Sequence, residues 1–227
     1  MKFLALEDSI RAGVPNVPGG AIIEIARLSP AFRGLVGFSL ATRIPQLLNT
    51  GPLVPPTWGF NENIPLRDLP PVVNTVPGAM PIQEVIDSSE WVSQSGNPVA
   101  YAPHRILRKS PLHGIDPPPV IIQFAKGDQT VPNPTASAIF RAGDLVDRST
   151  FFRNDLVRAA RGVNVPANPH TFLTNIANST VVDLAIAGQT QIAIFFESDG
   201  TVVIDPDGVG PFYEVPIAGP LPEGLNF

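Results

Sequence analysis

The chain has 227 residues, of which 44% are hydrophobic and 15% charged, a composition typical of a globular protein with a sizeable buried core. Its formal net charge is -5 and its 15 lysines and arginines form no basic stripe, so nucleic acid is excluded as an expected partner. The absence of cysteine excludes disulfides, a thiolate nucleophile and cysteine-ligated zinc, and it leaves the cellular compartment undetermined.

Hydropathy along the chain predicts neither a membrane span nor a signal peptide. The longest apolar candidate, residues 181–196, is interrupted by polar side chains and falls short of the roughly 20 residues that cross a bilayer. Glu7 and Asp8 follow the first six residues so closely that no apolar segment of signal-peptide length precedes them.

The first fifty residues contain patterns for alternating helix and strand. Residues 3–9 read as the end of a helix, and residues 11–17 as a short apolar strand stopped by Pro18-Gly19-Gly20. Residues 21–28 carry apolar side chains at helical spacing, and Pro30 is predicted to end that helix. A further helix is predicted from Phe38 to Leu48.

Proline dominates the next part of the chain. The sequence has 27 prolines, concentrated between Pro45 and Pro134, and Gly51 to Pro81 is predicted to be a loop. Trp58 and Phe60 supply apolar anchors there, so the segment is interpreted either as a lid over a site or as a surface excursion without a role.

Regular patterns return in the second half. Val120 to Phe124 is a continuous apolar run typical of a buried strand, and residues 150–156 read as a second strand. Helices are predicted at residues 136–145 and 179–196, and the turn Asp205-Pro206-Asp207-Gly208 lies in the tail. Strands alternating with helices predict an α/β fold with a mostly parallel sheet.

The residues that suggest chemistry follow these two strands. Asp128 comes just after the run that ends at Phe124, and His170 lies in a loop after the second strand. Working groups of parallel sheets collect at the carboxyl edge of the strands, so we expect the two side chains to meet there. A carboxylate in that position orients an imidazole as a general base.

These motifs resemble the α/β-hydrolase superfamily, in particular its bacterial lipase-like and esterase-like members. The matching residues are Gly127-Asp128-Gln129-Thr130-Val131-Pro132 and Pro169-His170. The resemblance implies that Asp128 is the acid and His170 the base of a catalytic triad, and that the fold is a partial α/β-hydrolase fold. It also implies that the nucleophile elbow lies upstream of Met1, because the chain starts with what looks like the helix after the elbow.

The resemblance divides the chain into four parts. Residues 1–17 are the start of the retained core, 18–110 a proline-rich cap or lid-like insertion, 111–205 the core with the acid and histidine, and 206–227 a C-terminal tail. Full-length lipase-like members of this superfamily are often exported, whereas this sequence shows no signal peptide. The localisation is therefore not assigned.

Alternatives within the chain are weaker. Gly37-Phe38-Ser39-Leu40-Ala41 reads as a Gly-x-Ser-x-Ala elbow and makes Ser39 the internal candidate nucleophile, although no good strand precedes it. His104 and His113 lie in proline-bounded turns without acidic partners at metal spacing. The aspartates at 199, 205 and 207 are too few for calcium and are interpreted as turn formers. No metal and no cofactor is predicted.

The sequence therefore predicts a serine-type carboxylic ester hydrolase, or the C-terminal fragment of one. Its substrate is expected to be a neutral, fairly apolar ester or lactone, because basic clamps for anions are missing and Phe38, Trp58 and Phe60 can line an acyl pocket. The alternative is an inactive half-domain that self-associates or binds a missing N-terminal piece or another partner. Peptidase chemistry stays open, because the same acid and base serve many reactions.

Overall fold

The computed structural model describes residues 2–7, 9–49, 60, 77–106, 117–225 and 227. Its α-helices are α1 (Lys2–Leu6), α2 (Ile22–Leu28), α3 (Pro30–Ala41), α4 (Ala79–Ser93), α5 (Pro98–Ile106), α6 (Asn133–Gly143), α7 (Asn154–Arg161) and α8 (Val182–Glu197). Its strands are β1 (Ile122–Ala125), β2 (Ser149–Phe152) and β3 (Tyr213–Glu214), and short 3-10 helices cover Gln94–Gly96, Val146–Arg148 and Pro169–Thr174.

The sheet is small and mixed. β1 and β2 are parallel neighbours, and β3 lies antiparallel on the other side of β2. Residues 11–17 run beside β1 through two isolated parallel bridges, Gly13 to Val120 and Asn16 to Gln123. The predicted α/β class is confirmed, whereas a mostly parallel sheet is not, because one of the two strand pairs is antiparallel.

Helices cover both faces of the sheet, as alternating side chains on the strands require. Phe124 and Phe151 point to one face, where they pack with Phe140 of α6. Phe152 points to the other face and stacks on Phe172. Buried side chains of α7 and α8 complete this second cluster, so the sheet ends that carry the candidate site are held from two sides.

Pro30 has a second role besides the one predicted. Pro30 does end α2 as expected, but it is also the first residue of α3, where its missing amide costs no hydrogen bond. The predicted helix from Phe38 to Leu48 is wrong: α3 is complete at Ala41.

The proline-rich part of the chain contains two helices that the sequence analysis did not predict. α4 begins at Ala79 and takes Pro81 into its first turn, where proline is tolerated, and α5 contains Pro103. Together with Phe60, the buried residues of α3 and α4 form a third apolar cluster. The rest of the predicted lid-like loop, 51–59 and 61–76, lies outside the described residues.

The second predicted strand is shorter than expected. β2 ends at Phe152, and α7 begins at Asn154, with Asp155 in its first turn and Arg158 and Arg161 in its last. That charge order suits the helix dipole at both ends, so the chain turns helical where the apolar pattern suggested more strand. The predicted strand at Val120 to Phe124 and the helices at residues 21–28 and 179–196 are confirmed to within a few residues.

Candidate active site

A tight turn directly after β1 carries Asp128, the predicted acid. Gly127 takes a φ of 79°, in the left-handed region that favours glycine. The side chain of Asn133, at the start of α6, accepts the Gly127 amide at 2.8 Å and donates to the Ala125 carbonyl at 2.7 Å. Both strand-end backbone groups are thereby satisfied, and Asp128 is left at the carboxyl end of β1.

The carboxylate of Asp128 is almost completely buried, with 3% of its side chain exposed. One oxygen, Oδ1, accepts the amides of Thr130 and Val131, each at 2.8 Å. The other, Oδ2, faces the Nδ1 atom of His170 at 2.9 Å. The backbone therefore fixes one oxygen and leaves the second for the imidazole.

His170 reaches this oxygen from the short helix Pro169–Thr174. Asn168 caps that helix, and its side chain accepts the His170 amide. The imidazole is 28% exposed, and its Nε2 atom forms no hydrogen bond to any residue that the structure describes. A carboxylate only accepts hydrogen bonds, so when Asp128 is ionised and the imidazole is neutral this contact places the proton on Nδ1 and leaves the Nε2 lone pair free to take a proton.

The structure thus brings together the two residues that the sequence analysis paired across 42 positions. This is the geometry of a base and its orienting acid.

Ser39 does not lie in such an arrangement. It is an exposed residue in the last turn of α3, where helix rather than strand precedes it, so the interpretation of Gly37 to Ala41 as a strand-to-helix nucleophile elbow is wrong. No hydrogen bond joins Ser39 to His170, and Ser39 instead lines a cleft of about 310 Å³ among α2, α3 and α4. Neither Asp128 nor His170 lines that cleft.

The remaining predicted residues are placed only in part. Phe60 is buried beneath the guanidinium of Arg33, and the side chain of Phe38 is about half exposed. Trp58, His113 and the side chain of His104 lie outside the described residues.

The aspartate-rich turn in the tail forms as predicted, at residues 206–209. Burial and a hydrogen bond with Asp207 raise the pKa of Asp205 above its ordinary value of 3.8. Over the described ranges, no cluster of three histidine, aspartate or glutamate side chains could hold a metal ion. Within those same ranges no helix combines the length and apolarity needed to span a membrane.

Asn133 and Asn168 are the contributors that the sequence analysis missed. The signal for Asn168 was present, since asparagine before proline is a favoured helix cap. Its contacts with the acid turn, 39 residues away, are visible only in the folded chain.

Comparison of the chain with protein-family models, with curated proteins and with solved structures finds no match.

Proposed function

We propose that this chain supplies the acid and the base of a serine-type carboxylic ester hydrolase. The observation that carries the proposal is the 2.9 Å contact between Asp128 Oδ2 and His170 Nδ1. Three features beyond the distance support it: the acid is buried, its second oxygen is held by two backbone amides, and the imidazole is partly exposed with Nε2 unbonded.

The mechanism follows from that asymmetry. His170 Nε2 takes the proton of a serine hydroxyl as its oxygen attacks the ester carbonyl, and Asp128 stabilises the imidazolium that results. The imidazolium then gives the proton to the departing alkoxide, so an alcohol leaves and an acyl-enzyme remains. In the second half His170 deprotonates water, which attacks the acyl carbonyl, and the returned proton restores the serine as the carboxylic acid leaves.

The nucleophile in this proposal is a serine upstream of Met1 rather than Ser39. Ser39 lacks the sharp strand-to-helix turn that presents a nucleophile. The proposal takes from the α/β-hydrolase resemblance that a helix and then a strand follow the elbow; in this chain α1 is followed by a segment that bridges in parallel to residues 120 and 123. The substrate in the proposal is a neutral, apolar ester or lactone.

A second candidate function is a half-domain that pairs with another strand. The segment 11–17 bonds on one side, through Gly13, Pro15 and Val17, to backbone groups of residues 119–123 at the start of β1 and just before it. Within the described residues the backbone amides of Ala12, Val14 and Asn16 form no hydrogen bond, so this edge of the sheet is open. An open edge accepts a further strand, from an N-terminal piece or from a second copy.

Two measurements test the hydrolase proposal. The first is hydrolysis of short-chain chromogenic esters by the purified chain, with labelling by a fluorophosphonate probe and mapping of the modified peptide. Because the proposed nucleophile lies upstream of Met1, the chain alone is expected to be inactive and unlabelled, and a label on Ser39 would instead move the nucleophile to α3. A protein that also contains the upstream elbow is expected to hydrolyse these esters and to lose that activity in His170→Gln. The second is the DNA upstream of Met1, where an in-frame Gly-x-Ser-x-Gly is expected.

The proposal is overturned if the chain is inactive and unlabelled and no Gly-x-Ser-x-Gly is encoded in frame upstream. A folded, inactive, unlabelled chain without an upstream serine motif leaves the binding half-domain, which sedimentation then tests as self-association.

A further inference from the structure

We propose that Asn168 is a positioning residue that sets the geometry of the Asp128–His170 pair by tying the turn of the acid to the loop of the base. The inference rests on the proposed function only where it calls the pair catalytic. In structural terms, the Asn168 side chain controls whether the imidazole proton of His170 stays on Nδ1.

The side chain of Asn168 uses three hydrogen bonds to join the two loops. Its Oδ1 accepts the amide of Gln129 at 3.0 Å and the amide of His170 at 3.2 Å. Its Nδ2 donates to the hydroxyl of Thr130 at 2.9 Å. Gln129 follows Asp128 directly, so the backbone amide next to the acid and the backbone amide of His170 itself converge on one side-chain oxygen.

The other supports of the two loops act on each loop separately. The acid turn is held by Asn133, and the hydroxyl of Ser29 donates to the Gln129 carbonyl at 2.8 Å. The base loop is held to α7, where Asn154 donates to the Pro166 carbonyl. Among the described residues, one further hydrogen bond joins these loops besides the acid–base contact and the bonds of Asn168. It is long and exposed, and runs from the side chain of Gln129 to the Ala167 carbonyl at 3.4 Å.

Loss of Asn168 should therefore leave both loops folded while changing their separation. A hydrogen bond from a ring nitrogen to oxygen weakens outside about 2.7–3.2 Å, so a small shift weakens the contact that holds the proton on Nδ1. The released imidazole then takes up the alternative tautomer, with its proton on Nε2, in which Nε2 has no lone pair to accept a hydroxyl proton.

The test uses the full chain labelled with nitrogen-15 in histidine and reads the tautomer of His170 by long-range proton–nitrogen correlation, with His170→Gln assigning the signal. The wild type is expected to show the Nδ1–H tautomer. Asn168→Ala is expected to show an increased share of the Nε2–H form. If the chain hydrolyses esters, its kcat/KM should fall about a hundredfold, as for a small misplacement of a catalytic group.

The matched control is Asn178→Ala. Asn178 also joins loop segments, by accepting the Thr180 amide and donating to the Asn164 carbonyl, but it contacts neither member of the pair. Asn178→Ala should lower stability to a similar extent without changing the His170 tautomer.

An unchanged tautomer in folded Asn168→Ala would overturn the inference and leave Asn168 as an ordinary cap. If Asn168→Ala does not fold, Thr130→Val removes only the Nδ2 bond and should still raise the Nε2–H share, and an unchanged share then counts against the inference. Because the tautomer is read without substrate, an unchanged tautomer overturns this inference without touching the hydrolase proposal. Equally, the outcome that overturns the hydrolase proposal leaves the role of Asn168 untouched.

Discussion

Replacing Asp128 with asparagine is the sharpest perturbation of the site, because it keeps the shape of the side chain and reverses one hydrogen bond. The Asn oxygen can still accept the amides of Thr130 and Val131. The amide nitrogen, however, donates where Oδ2 accepted, so His170 Nδ1 must become the acceptor and the proton moves to Nε2.

The magnitudes follow from the three bonds that Asp128 accepts. Hydrogen bonds to a charged group contribute about 1.5–3 kcal/mol and neutral ones about 1 kcal/mol, so Asp128→Asn should lower the free energy of unfolding by about 2 kcal/mol. Asp128→Ala removes all three bonds and should cost roughly twice as much. Any ester hydrolysis should fall about 10⁴-fold in Asp128→Asn, as expected when the base is held in the wrong tautomer.

Urea denaturation, the nitrogen-15 spectrum of His170 and ester hydrolysis measure these effects. Asp183→Asn is the control, since Asp183 is a surface carboxylate paired with Arg161. The reasoning is refuted if Asp128→Asn retains the Nδ1–H tautomer, or if an active chain keeps its rate.

Three further predictions concern the rest of the fold. Gln191→Leu should lower the unfolding free energy by about 2–4 kcal/mol in urea, because Gln191 is fully buried and bonds Gln123, Thr150 and the Ile204 carbonyl; exposed Gln189→Leu should cost less. Arg161 lowers the pKa of Asp183 below its ordinary value of 3.8. The ion pair therefore stabilises the fold above that pH, and its contribution, at most about 1 kcal/mol, is lost as the pH falls further. Asp183→Asn should flatten the acid side of a Tm-versus-pH curve. Burial raises the pKa of Asp205, so the ionised carboxylate destabilises the fold at neutral pH. Asp205→Asn should therefore raise Tm at pH 7. A lower Tm would show instead that the charge of Asp205 stabilises the turn.

Some of these features could be predicted from the sequence because they depend on local composition. Val120 to Phe124 is apolar throughout and bounded by proline and glycine, which is enough to predict a buried strand. Asp128 directly after this strand and His170 after the next were enough to predict their meeting, because parallel neighbouring strands end at one edge of a sheet.

Other features depended on neighbours that the sequence does not reveal. Pro30 is equally suited to ending one helix and to beginning the next, and the packing of α3 against α4 and Phe60 decides that it does both. Val120, Gln123 and residues 11–17 pair across more than one hundred positions, so the hydrogen bonds of that segment could not be assigned from its own pattern.

The sequence by itself thus determined where the candidate acid and base lie along the chain, and that Asp128 follows the end of β1. Only the tertiary structure decided that Asn168 joins their loops and that Ser39 forms no hydrogen bond to His170. The physical reason is the sequence separation of the contacts. Strand and turn signals come from adjacent residues, whereas Asn168 bonds a backbone amide 39 positions away, which it can reach only after the sheet has assembled.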